Sequence, residues 1–421
     1  VSVSRARATF SSYGYSAPVP TPIAYLTDVE GRWEKLEEFA RANPIVSLDE
    51  RGLHVADGAL FVFGGDAIDR GPSGRRVVAA LAEAKERQPE RVVLLAGNRD
   101  INKLRLRREL TGHPPRRAPP EIVRAPRGEL LRWIFPNTMG AREAFAMRAA
   151  EIGSDDDDAI AQSFLDDVAP DGAHVRYLAR CRLAFRAGET LFVHGAITPE
   201  SLGRVPDRDA RIDDVDAWIA ALDAWYAERL DAYRARPDDG DAYASLVAYQ
   251  APIPGTRLNQ ASVVYGRLSD AENNPHLPAR SVIDALRAAR VRRVVVGHTP
   301  CGDAPLVLRA NDFELVCADN SYGRLEAGSR VFVDGRALAI EGRAKLDDGA
   351  TVKLRAETTL DRDAAPLGHR DEASGHLVGS RVDGGGFYVY RGKRGFEVEQ
   401  ARATDESVAR RALVVPDRAL A

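Results

Sequence analysis

Five stretches of this chain end in, or contain, residues that bind metal ions. Asp28 and Glu30 follow "PIAYLT", Asp66 and Asp69 follow "ALFVFGG", Asn98 and Asp100 follow "RVVLLAG", and His194 and His298 lie in "TLFVHGA" and "RRVVVGHTP". A mixed set of Asp, Asn, Glu and His suits borderline divalent ions such as manganese, iron or zinc, and it excludes a soft thiolate site. A single histidine after a strand is more often a hydrogen-bonded structural residue. Five such clusters, each at the same kind of position, reverse those odds.

That position is set by the apolar runs before them. Each run is bounded by turn residues and reads as a buried strand, and in an open α/β sheet ligands bind beyond the carboxyl ends of the strands. Clusters distant in sequence therefore converge on one crevice. Helical patterns such as "RWEKLEEFARAN" and "SGRRVVAALAEAKERQ" alternate with the strands, as a sheet with helices on its faces requires. Two long segments interrupt the rhythm. Residues 102–185 are rich in Arg, Pro and Asp, with an aspartate run from Asp155 to Asp158; residues 199–290 hold the amphipathic stretch "DVDAWIAALDAWYAERLDAYRA". Loops of that length without structure are improbable, so both are expected to be helical insertions roofing one face of the core. From residue 330 to 421 alternating apolar residues and Gly turns predict a small β-rich C-terminal module. Residues 1–20 are expected to form a flexible arm, followed by a core domain over 21–329.

The order of the motifs resembles the calcineurin-like metallophosphoesterase superfamily, in its phosphoprotein phosphatase branch. The matching turns are "DVEG" at 28–31, "GDAIDRG" at 65–71, "GNRD" at 97–100, "HGAITP" at 194–199 and "GHTP" at 297–300. The resemblance covers about residues 22–323 and leaves the insertions and the C-terminal module unexplained. It implies an α/β fold with a β-sandwich core flanked by helices, and two divalent ions. Asp66 would bridge the ions, Asp28 and Glu30 would hold the first, and Asn98, His194 and His298 the second. Asp69 would orient a histidine ligand, while Arg70, Arg99, Asn98 and Arg267 would contact phosphate; Arg257 is an alternative to Arg267. Asn320 and Tyr322 in "CADNSYG" would lie near the site.

Two positions depart from the family pattern. Glu30 and Arg99 stand where histidines are expected. Glu30 can still ligate through oxygen and hardens the site, so manganese is the expected ion, with iron, zinc or magnesium as alternatives. Arg99, beside Asp100, stays charged and cannot serve as an ordinary general acid. It can neutralise charge on the phosphoryl group instead. Leaving groups that need little protonation are then favoured, and a phenol, with a pKa of about 10, qualifies better than an alkyl alcohol.

The expected function is hydrolysis of phosphate monoesters, with phosphotyrosine or other aryl phosphates preferred. A dinucleoside polyphosphate hydrolase and a metal-binding pseudoenzyme are the alternatives, and retention of the ligand residues weighs against the last. The remaining composition excludes other classes. The chain has 421 residues, 44% hydrophobic, and Lys+Arg of 59 against Asp+Glu of 62 gives a net charge of -3. Nothing in that balance draws it to nucleic acid or a membrane surface. Cys181, Cys301 and Cys317 have no CxxC spacing, and no run is apolar enough to span a bilayer. The expected partners are a phosphorylated protein or a small phosphate ester, in the cytoplasm.

Overall fold

Alternation along the first strand sets the layout. In Ile23–Leu26, Ile23 and Tyr25 turn to one side and Ala24 and Leu26 to the other, as a pleated strand requires. Ile23 and Tyr25 join Val62, Val93, Phe192, Val295 and Val316 in a core between two sheets. Ala24 and Leu26 join Leu36, Phe39, Val77 and Leu81, the buried faces of the helices Trp33–Ala40 and Gly74–Arg87. Both faces of these strands are covered, which is why they read as continuous apolar runs. The computed structural model describes residues 21–417 apart from 42, 326–327 and 363–364, so the arm expected at 1–20 lies outside the described residues.

In the larger sheet, Ile23–Leu26, Leu60–Phe63 and Val92–Leu95 are parallel neighbours, with Ile23 opposite Leu60 and Phe61 opposite Val92. The second sheet runs Leu306–Ala310, Phe313–Asp319, Arg293–Pro300, Thr190–Val193, Ala184–Ala187, its three central strands parallel. Tyr25 and Phe192 stack across the interface at 5.6 Å. The expected α/β sandwich flanked by helices is present. Within each sheet the strands that lead into or carry the five candidate clusters are parallel, and Asp66 after a strand of the larger sheet comes together with His194 and His298 of the second.

The first of the two long segments is largely helical, and the second joins a few helices by long irregular stretches. Residues 102–185 include Arg105–Leu110, Arg127–Ile134, Ala144–Ile152 and Asp157–Asp167, gathered on a core of their own around Leu131, Phe135 and Phe164, and Ala173–Leu178, which packs Val175, Tyr177 and Leu178 into the main core. Residues 199–290 include the 21-residue helix Val215–Ala235, whose first turn is capped by Asp214 accepting from Ala217 N at 2.7 Å.

The strands expected after residue 330 form, and they are hydrogen-bonded to the core sheet. Arg330–Asp334 lies antiparallel to Ile23–Leu26, with Ala24 opposite Phe332, and the order continues outward through Ala337–Lys345, Thr351–Thr359, Leu377–Val382, Phe387–Gly392 and Val398–Ala403. A buried charge cluster ties the second sheet to them. Glu314 accepts from Arg293 Nε at 2.7 Å and from Arg309 Nη1; Arg293 Nη2 donates to Arg336 O at 2.7 Å and Arg309 Nη2 to Thr359 O at 3.0 Å. Removing the single anion leaves two arginines uncompensated in the interior. Glu314→Gln is therefore expected to destabilise the fold by about 3–5 kcal/mol, read by denaturant unfolding; a loss below about 1 kcal/mol, the level of an exposed pair, would show that the cluster does not hold the sheets together.

Candidate active site

The turns after the first two strands are laced together by their backbones. Asp28 N donates to Gly65 O at 3.0 Å, Glu30 N to Asp66 O at 3.0 Å, Gly31 N to Ala67 O at 2.7 Å, and Arg70 N to Glu30 O at 2.8 Å. Asp100 binds the third turn to the second: its carboxylate accepts from Asp66 N, Ala67 N and Gly97 N, each at 2.9 Å. Such turns need unusual backbone conformations. Asp28, Glu30, Asp66, Asp69 and His298 have φ of 52, 49, 57, 112 and 59°, a region non-glycine residues seldom enter and one that concentrates at functional sites. Gly97 has no substitute here, since a Cβ would overlap the Asp66 carboxylate.

Asp66, His194 and His298 are buried, and their ligand atoms lie within 4.8 Å of one another; among the described residues they are the only such group of His, Cys, Asp and Glu. His194 Nδ1 meets Gly64 O at 2.8 Å, which as donor leaves Nε2 free as a ligand, 3.3 Å from Asp66 Oδ1. Asn98 completes the cluster. One end of its amide lies 3.3 Å from His194 Nε2, 3.3 Å from Asp66 Oδ2 and 2.8 Å from His298 Nδ1. With the NH2 at that end, its two hydrogens face three nearby atoms; with the oxygen there, it meets the Asp66 carboxylate, acceptor against acceptor, which a cation reconciles. The donor set fits one divalent ion of the borderline type.

Burial alone would lower the His194 pKa, but the Asp66 carboxylate beside it pushes it up to about 10. In turn, burial would raise the Asp66 carboxyl, and His194 holds it below the usual carboxylate range. His298 is kept neutral, well below its ordinary value, by burial and then by the Arg267 cation, whose Nε lies 3.3 Å from His298 Nε2. A neutral imidazole is the form that binds metal, so His298 is ready to ligate, whereas His194 would give up its Nε2 proton when an ion binds.

A sequence profile of the calcineurin-like phosphoesterases matches residues 21–302, a span that contains all five motif turns. The chain belongs to that family. The family is one of metal-dependent phosphoester hydrolases, and the cluster at Asp66 is where such an ion fits. No curated protein matches the chain in sequence. Similar solved structures include a cold-active protein-tyrosine phosphatase of a psychrophilic Shewanella species, 16% identical over 79% of this chain and 80% of that one, with a TM-score of 0.45. Others are a serine/threonine phosphatase from Saccharomyces cerevisiae with similarity to human PP5 (15%, 76% and 74%, TM-score 0.34) and a metallophosphoesterase from Sphaerobacter thermophilus (11%, 80% and 88%, TM-score 0.31).

Several expected site residues of this phosphoesterase have other surroundings than the motifs imply. Glu30 does not join a ligand cluster with Asp28 and Asp66; it pairs with Arg99 Nε at 2.6 Å and Arg70 Nη1 at 3.4 Å. Asp69 orients no histidine and instead takes the buried Lys103 Nζ at 2.6 Å, with Arg99 Nη1 at 3.6 Å. Asp100 is fully buried with its carboxylate on backbone N–H groups, so it holds the turns and does not reach the cleft. Arg70 is drawn to the margin by Glu30, by Ser321 O at 3.3 Å and by the Tyr322 ring 3.8 Å below its guanidinium.

The cleft itself has a volume of about 400 Å³ and is lined by Asp28, Glu30, Asp66, Asn98, Arg99, Arg267 and His298, with Arg105 and Arg117 from the first insertion and Gln250 from the second. Arg267, not Arg257, faces it. Tyr322 lines it as expected, whereas Asn320 turns its amide to Gly302 O at 2.9 Å. Asp319, Tyr265 and Phe396 are among the lining residues that were not foreseen. Asp319 is the end of a strand, a position shared with the other clusters, and that rule could have found it. Tyr265 and Phe396 could not have been found so; Phe396 reaches the cleft from the C-terminal strands and stacks on Tyr322 at 4.6 Å. Asp66→Asn and His194→Ala are each expected to weaken Mn2+ binding by roughly tenfold or more and to abolish phosphoester hydrolysis while melting within a few degrees of the parent. Unchanged Mn2+ affinity by titration calorimetry would remove these residues from the ion site.

Proposed function

We propose that this chain is a metal-dependent phosphomonoesterase that prefers aryl phosphates, phosphotyrosine in a protein among them, using an ion, manganese first, held by Asp66, Asn98, His194 and His298. Arg99 is the observation that carries this reading. It lines the cleft beside Asp66 where the family pattern calls for a histidine, and its Nη1 has no hydrogen-bond partner among the described residues. Burial works against its charge, but Glu30, then Asp69 and Asp66, overcome that and push its pKa further up. It is a permanent cation able to hold a phosphoryl oxygen and unable to give a proton.

A divalent ion held by Asp66, Asn98, His194 and His298 would supply the Lewis acidity by which water gives up a proton to solvent and becomes nucleophilic at neutral pH, and would draw charge from phosphate. The rest falls to side chains. Arg99 and Arg267 face the space between them and the ion cluster and would grip the phosphoryl oxygens from two directions. As the water oxygen bonds to phosphorus, the bond to the leaving oxygen breaks and both electrons leave with it. A phenolate accepts that charge and takes its proton from solvent, an outcome an alkoxide reaches far less readily. Tyr265, Tyr322 and Phe396 give the cleft an aromatic wall suited to an aryl group. His113 and His276, one from each insertion, do not line the cleft and so are not placed to protonate a leaving group there, and among its described lining residues His298 is the only histidine.

The dinucleoside polyphosphate reading has its own support. A second cavity of about 1060 Å³ shares Arg105, Gln250, Ala251 and Pro252 with the cleft and is lined by Arg108, Arg204 and Tyr243 from the two insertions. It could take a nucleoside beyond the phosphates, or the chain flanking a phosphotyrosine. We further place the protein in the cytoplasm, in keeping with its three free cysteines; among the described residues no helix is long and apolar enough to cross a membrane.

The test is kcat/KM on a series of aryl and alkyl phosphates, with phosphotyrosine and phosphoserine peptides and a dinucleoside tetraphosphate alongside. The rate is expected to fall steeply as leaving-group pKa rises, and phosphotyrosine to exceed phosphoserine. Arg99→Ala should slow every ester by about 10²–10³-fold, with Arg99→Lys recovering part of the loss. A parent slope near zero would mean that another residue protonates the leaving group. Turnover of the dinucleotide alone would favour the second reading, and no turnover of any substrate with a bound ion would leave a pseudoenzyme.

A further inference from the structure

The motif order provides for a first ion at Asp28, Glu30 and Asp66, and a side chain lies in that place. We propose that the Arg99 guanidinium is a built-in cation that stands in for this ion, so that the chain binds one divalent ion where its motifs provide for two. The inference rests on the ion site at Asp66, Asn98, His194 and His298.

Three carboxylates surround the Arg99 guanidinium: Glu30 Oε1 is 2.6 Å from Nε, Asp66 Oδ2 is 3.6 Å from Nε, and Asp69 Oδ2 is 3.6 Å from Nη1. Asp66 thus faces both ways. Its Oδ1 looks to His194 at 3.3 Å, and its Oδ2, the oxygen that would bridge, looks also to Arg99. The main chain holds the arginine in place, since Arg99 N donates to Asp66 Oδ1 at 2.8 Å.

The other members of the expected set are engaged elsewhere. Asp28 accepts from Thr27 Oγ1 at 2.6 Å and from His298 N at 3.2 Å, so its carboxylate serves the turn before His298. Glu30 is shared between Arg99 and Arg70. Asp28, Glu30 and Asp66 accordingly do not place ligand atoms within 4.8 Å of one another, whereas Asp66, His194 and His298 do. A divalent ion added among them would sit against a fixed guanidinium in a buried setting, where like charges repel strongly. The two departures from the family pattern are then one device. Arginine at 99 needs an anion at 30, and glutamate at 30, pulled onto that arginine, no longer ligates.

The experiment is Mn2+ titration of the metal-stripped full chain, with bound metal measured by mass spectrometry and the ion's surroundings by electron paramagnetic resonance. The parent is expected to saturate at one Mn2+ per chain, with the spectrum of an isolated ion. The double variant Glu30→His with Arg99→His is expected to take up a second ion and show exchange coupling between the two. Two equivalents with a coupled spectrum in the parent would overturn the inference and leave the ion site at Asp66 standing. No bound ion in the parent would overturn that site and this inference with it. The parent's stoichiometry decides the matter whether or not the double variant folds.

Discussion

Burying carboxylates is costly unless cations or hydrogen-bond donors meet them, and one side of this cleft buries Asp28, Glu30, Asp66, Asp69 and Asp319. Much of the surrounding structure answers that constraint. Lys35, on the buried face of the Trp33–Ala40 helix, interacts with Glu30, Asp319 and Asp28, and burial lowers its pKa against their pull. Lys103 ends the short helix after the third turn and meets Asp69, while Arg99 begins it and meets Glu30. The helices next to the strand ends therefore bring charge as well as apolar surface. What they leave unmet at Asp66, His194 and His298 is the acceptor cluster an ion would satisfy.

The backbone carries a matching constraint. Left-handed conformations at Asp28, Glu30, Asp66, Asp69 and His298 each cost of order 1–3 kcal/mol, and they persist because neighbouring turns hydrogen-bond one another rigidly. Asp100 shows how this is done with a side chain. Burial, and then the Asp66 charge, raise its pKa to about 7, yet three backbone N–H groups from two turns converge on its carboxylate. His174 of the first insertion caps the arrangement from behind, its Nε2 2.7 Å from Asp100 O. An insertion that looked separate from the core in sequence thus braces the turn that carries Asp66.

The strands and the cluster of Asp66, His194 and His298 beyond them were legible in the sequence because period, turn residues and chemistry coincide there. A run buried on both faces ends at a glycine or an Asx residue, and the polar atom beyond it has few places to go. The helical insertions were legible from their length and amphipathic pattern, though not the way Arg105, Arg117 and Gln250 would enter the cleft. Pairing was not legible at all. Nothing in the spacing of Glu30, Asp69 and Arg99 says that they would neutralise one another, since that follows from side-chain directions at the ends of three different strands. The aromatic wall was hidden for the same reason: Phe396 lies far along the chain, and only the antiparallel addition of the last strands to the core sheet brings it onto Tyr322.

Arginine and histidine at position 99 represent two solutions to one electrostatic problem. Phosphoryl transfer develops charge on the equatorial oxygens and on the leaving oxygen, and a site must stabilise both. A histidine can deliver a proton to the leaving oxygen, but its charge is conditional, so the equatorial oxygens depend on ions. A guanidinium held by Glu30 and Asp69 is charged at every accessible pH and is already oriented, so stabilising the equatorial oxygens needs no further ordering. In the proposed reaction the proton is what is given up, and the poorest leaving groups would go with it. On this view the substrate range follows from a charge balance in the buried wall: an arginine that completes the wall cannot also act as the acid.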